Sequence, residues 1–182
     1  MKPLRPEEKQ FFYYALGAAT SSWQMVESNL GRIFVYMLHG FGDQTISYAV
    51  YNCVIGLETR IAMVDAAVTA VGLGDELRSE WKSLCNQVNR KRKIRNRLAH
   101  FHVVGMQDNK GNEKLALCPD FLNAREFLDS IHGKGYRYEL NDLIQFQRDF
   151  NKLSLDLMHF STKAGTFREQ QLALMRQVHG QN

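Results

Sequence analysis

The sequence has 182 residues, 45% hydrophobic and 23% charged, a globular composition that excludes a disordered or low-complexity chain and suffices for one packed domain over 1–182. Its net charge of +4 permits a polyanionic partner without requiring one. No apolar run reaches the roughly 18 residues of a membrane span, and Cys53, Cys85 and Cys118 are spaced as reduced thiols rather than as a zinc site.

The opening Met1-Lys2-Pro3-Leu4-Arg5-Pro6 lacks the apolar core of a signal peptide, so a cytoplasmic chain is expected. The first helix is predicted from Pro6, which suits an opening turn, with Glu7 and Glu8 favoured by the helix dipole. Phe12, Leu16, Ala19, Trp23, Val26, Leu30, Ile33 and Met37 recur every three or four residues, and Gly40-Phe41-Gly42 stops the run. A second helix is predicted from Asp43 or Thr45 as cap, on the stripe Ile46, Val50, Cys53, Leu57, Ile61, Val64, Val68 and Val71, ending at Gly72 and Gly74. A third is capped by Asp75 with Glu76 in its first turn, carries the stripe Leu77, Trp81, Leu84 and Val88, passes the basic run Arg90-Lys91-Arg92-Lys93 and ends near His100.

Next, FHVVGM and EKLALC are extended in character, and QDNKGN between them is rich in turn formers, so a β-hairpin is predicted over about 101–118. A short helix is expected within 121–131 and a loop at Gly133-Lys134-Gly135. The last long helix starts near Leu140 on Leu143, Phe146, Phe150, Leu153, Leu157 and Phe160. Gly165 is expected to end it, and Thr166-x-x-Glu169 reads as a capping box for a short C-terminal helix. The expected fold is all-α: an up-down four-helix bundle, with a hairpin insertion between the third and fourth long helices and a short terminal helix.

Arg95 stands eighteen residues after Leu77, five helical turns on, so a permanent cation continues an apolar stripe. Burial demands an anionic partner: an internal carboxylate such as Glu27, Glu58 or Asp65, or an external phosphate. Asn96 lies one turn before His100 and is placed to orient it. RNA cleavage without a metal needs a proton acceptor for the ribose 2′-OH, charge stabilisation at phosphorus and a proton donor for the leaving 5′-oxygen. Histidine and arginine supply these.

Arg95-Asn96-Arg97-Leu98-Ala99-His100 resembles the HEPN motif, an Arg followed by a polar residue, several variable residues and then His, late in a bundle helix. The resemblance rests on these six residues and, loosely, on the four-helix pattern. It implies a homodimer with two motifs facing one cleft and metal-independent endoribonuclease activity, with Arg95 binding phosphate, Asn96 orienting and His100 as acid/base. No cofactor is implied. Such proteins include toxins with a protein antitoxin or regulator, phage-defence effectors and RNA processors; other members dimerise or bind ligands without catalysis. Arg92, Lys93, Arg97 and His102 are the expected RNA contacts, against the plain reading of a solvated basic face.

Overall fold

The computed structural model describes residues 3–40, 43–107, 110–120, 124–131 and 136–179. Among them the chain forms six helices and one two-stranded sheet. Helix α1 (Pro6–His39) starts where Pro6 was expected to start it. Glu8 completes the first turn by accepting from the Arg5 backbone N–H at 3.1 Å and from its guanidinium at 2.7 Å. Gly40 ends the helix at φ +59°, and Phe41 and Gly42 lie outside the described residues.

The predicted second helix is two helices, α2 (Thr45–Cys53) and α3 (Leu57–Val71). Val54 turns extended (φ −83°, ψ 118°), and its carbonyl accepts from Arg60 Nε at 2.6 Å. That bond satisfies an oxygen the helix would otherwise have used. The expected stripe fails over α2: Ile46 and Val50 face solvent, while Ser47 and Tyr51 are buried. Asp43 accepts the Thr45 N–H at 3.0 Å, and Gly72, at φ +67°, caps α3 in the left-handed conformation.

Helix α4 (Asp75–His100) takes in the residue predicted as its cap and ends where predicted. Strands β1 (His102–Gln107) and β2 (Glu113–Cys118) pair antiparallel, His102 opposite Cys118 and Gln107 opposite Glu113, as the hairpin prediction required. Leu117 and Tyr138 exchange backbone hydrogen bonds at 2.8 and 3.0 Å, tying the segment before the last helix to β2. Helix α5 (Ala124–Ile131) falls in the window given for a short helix; Gly133–Gly135 lies outside the described residues. The terminal helix is not separate: α6 (Leu140–His179) runs unbroken through Gly165 and the Thr166–Glu169 pattern.

The contacts divide the chain into two compact units, Met1–Trp23 with Arg90–Asn151, and Gln24–Asn89 with Lys152–Asn182. In the first, Phe12, Ala19 and Trp23 are buried with Leu98, Leu117, Leu143 and Phe150, and Trp23 meets Phe150 edge-on at 5.0 Å between ring centres. In the second, Leu30, Ile33 and Met37 are buried with Val64, Val68, Leu84, Leu157 and Phe160. Two of its polar groups find partners far along the chain: Asn29 Nδ2 donates to the Ser154 carbonyl at 2.9 Å, and Trp81 Nε1 donates to Asp65 at 2.8 Å.

Candidate functional site

All the sequence-predicted site residues lie in the first unit, on the last turns of α4 and the start of β1. The helix stays regular to its end, where Phe101 N–H bonds the Arg97 carbonyl at 2.8 Å. Helix periodicity therefore fixes the directions of the side chains. Lys91, Arg95 and Leu98 form one stripe at steps of four and three, which is the inward one: Leu98 is buried and Arg95 half-buried.

The carboxylate on that stripe is one the sequence did not point to. Asp149 of α6 meets Lys91 Nζ at 2.7 Å, with the lysine side chain only 13% exposed. Of the carboxylates considered for Arg95, Glu27 pairs with Arg60 at 3.7 Å and Asp65 accepts the Trp81 indole. Arg95 itself donates from Nη1 to the neighbouring Asn96 Oδ1 at 3.4 Å.

Lys93, Asn96, Arg97 and His100 lie on the other side, related by three or four residues. Lys93, Asn96 and His100 are exposed; Arg92 is half-buried. His100 occupies the last helical position, and His102, on β1, has Nε2 3.5 Å from Asp120 Oδ2. Arg95 and His100 are five residues apart on a regular helix, which separates them by about 140° around the axis and ~7.5 Å along it.

Arg97 is held by two tyrosines that sequence reading passed over. Its Nη1 donates to the Tyr138 hydroxyl at 3.0 Å, and its guanidinium carbon lies 3.4 Å from the centre of the Tyr136 ring. Tyr138 is 8% exposed and packs on Phe101 and Phe146 at 5.9 and 4.9 Å, whereas Tyr136 is 59% exposed. The signal that was there is the spacing of Tyr136 and Tyr138, two residues apart, which puts both on one side of an extended segment.

Among the described residues no group of three or more His, Cys, Asp and Glu side chains is placed to hold a metal ion, and no helix is long and apolar enough to cross a membrane. No family model matches the chain, and neither a curated protein nor a solved structure does. The class the fold defines is a mainly helical protein carrying one small antiparallel hairpin.

Proposed function

We propose that this chain is a metal-independent endoribonuclease of HEPN type, acting as a homodimer on single-stranded or loop RNA, with a bundle of four long helical segments as its scaffold. The observation that supports it is the exposed His100 on the last turn of an unbroken basic helix, one turn after exposed Asn96. An accessible imidazole can exchange protons with a substrate near neutral pH.

In this reading His100 takes the proton of the ribose 2′-OH, whose oxygen attacks the adjacent phosphorus. The P–O5′ bond breaks, a cyclic phosphate is left, and the 5′-oxygen leaves with a proton from a second imidazolium. Arg95 and Arg97 supply positive charge to the non-bridging oxygens. Because Arg95 and His100 diverge on one helix, a second copy facing the first is what brings a guanidinium and both imidazoles to one phosphate. The proposed setting is a toxin or phage-defence effector of the cytoplasm, restrained by a protein antitoxin or regulator.

The test is cleavage of mixed RNA in excess EDTA. His100→Ala is expected to lower the rate by roughly 10²–10⁴-fold and Arg95→Ala by roughly 10²-fold or more, with thermal melting retained. Undiminished cleavage by His100→Ala would sink the assignment. A second reading, a non-catalytic dimerisation or ligand-binding module, is favoured by the place of Arg95 on the inward stripe beside Leu98. On that reading Arg95→Ala lowers stability and the parent cuts no RNA.

A further inference from the structure

We propose that the outward face of the Tyr136 ring is a stacking subsite for one unpaired nucleobase of a single-stranded RNA, a proposal that rests on the RNA reading above.

A large aromatic side chain that is 59% exposed gives up burial it could have had. Here the ring is nonetheless held in place. The Arg97 guanidinium lies 3.4 Å from its centre, and Arg97 is in turn fixed by the Tyr138 hydroxyl at 3.0 Å. Tyr138 is anchored between Phe101 and Phe146 and through its backbone to Leu117. The result is a layered stack, buried at Tyr138 and open to solvent at Tyr136. A cation covers one face of the outer ring, and the 59% exposure of the residue is the area on which a further planar group would land. Ordering the ring beforehand lowers the entropy lost when such a group lands on it.

The surroundings select the class of ligand. Arg97 shares its side of α4 with Lys93, four residues before, and His100, three residues after. An aromatic platform flanked by cations, here Lys93 and Arg97, is how proteins hold single strands: the cations follow the phosphates and the ring takes a base. In duplex RNA the bases are already stacked on one another and present only their edges, so the platform discriminates against it. The subsite thus lies beside the proposed acid/base and accounts for a preference for unpaired RNA there.

The experiment is fluorescence anisotropy with a short labelled single-stranded RNA whose riboses are 2′-O-methylated, so that attack by the 2′-oxygen is blocked and the parent protein can be used. Tyr136→Phe is expected to bind within about twofold of the parent, and Tyr136→Leu about tenfold more weakly. On an abasic strand of the same length, and on a duplex, the three proteins are expected to bind alike. Tyr136→Trp enlarges the platform and is expected to tighten binding to the single strand by a few-fold, a gain that misfolding does not mimic. Equal binding of the single strand by parent and Tyr136→Leu overturns the proposal, as does a loss that persists on the abasic strand or a parent that binds no RNA. Tyr136-dependent binding of the single strand without cleavage of natural RNA sustains the subsite and removes the nuclease. Cleavage insensitive to Tyr136 does the reverse.

Discussion

At the scale of single residues, Tyr51 illustrates how little of a side chain's role is set by its hydropathy. Its ring is 3% exposed, lies 5.5 Å from Phe34 and carries the Arg60 guanidinium 5.3 Å from its centre. It sits so close to Gly31 that an added Cβ there would come within 2.9 Å of the ring. Among the described residues its hydroxyl has no hydrogen-bond partner, and burial pushes its pKa up to about 12, with the Arg60 charge acting in the opposite direction. Tyr51→Phe removes an unsatisfied polar group, so denaturant unfolding at neutral pH should show unchanged stability or a gain of up to ~1 kcal/mol. The alkaline behaviour has a definite sign. Below about pH 10 the phenol is neutral in both states; as pH rises through the window from 10 to about 12, the unfolded chain loses this proton and the folded chain keeps it. Stability therefore falls across that window, and Tyr51→Phe should lose about 1 kcal/mol less than the parent by pH 11. Parallel losses in the two proteins would contradict this account.

Among the elements, two departures from local periodicity have a common cause. The residues from Ile46 to Val71 carry an uninterrupted helical period, yet the chain breaks at Val54–Gly56. The break exposes Ile55 and lets Arg60 take the Val54 carbonyl, while Tyr51 finds its place against Gly31. Conversely, Gly165 and a capping pattern invite a stop, yet α6 continues. Gly165 is buried there beside Ala164, and Glu169, further along, lies where a Cβ on Gly40 would fall. A glycine costs a helix only about 1 kcal/mol relative to alanine, less than a packed helical turn gains by burial. The N-cap of α3 is Gly56, which offers no side-chain acceptor, adopts φ −76° and leaves its added Cβ at an ordinary 3.4 Å from Thr59. Gly56→Ser is accordingly expected to raise stability by roughly 0.5–1 kcal/mol, through a cap and a less flexible unfolded chain. A lower midpoint in urea would show that the turn needs glycine for another reason.

For the molecule as a whole, the modest positive charge becomes informative only through its placement. Lys93 and Arg97 share one side of α4, with Tyr136 over Arg97. Binding of single-stranded RNA should weaken as salt rises, and Lys93→Ala should reduce the slope of log K against log salt by about 0.7, the value for one phosphate contact on a single strand. An unchanged slope would place Lys93 outside the RNA path. Lys91, its near neighbour, is expected to behave differently, since it is paired with Asp149 at 2.7 Å and only 13% exposed. Its removal should show as lost stability rather than as a change in salt slope.

By itself the sequence determined the long helices α1 and α4, the start of α6, the hairpin and the stretch that bears the Arg-Asn-x-Leu-Ala-His pattern. A period of 3.6 or 2 and the chemistry of Pro, Gly and Asx turns are local, and local signals survive without tertiary context. Tertiary structure alone decided where the second helix breaks and that the last one does not. It also decided that Asp149 answers the cationic stripe and that Tyr136 and Tyr138 clasp Arg97. Each of these joins residues far apart in the chain, and the free energy of burial and pairing that selects among them has no counterpart in any short window of residues.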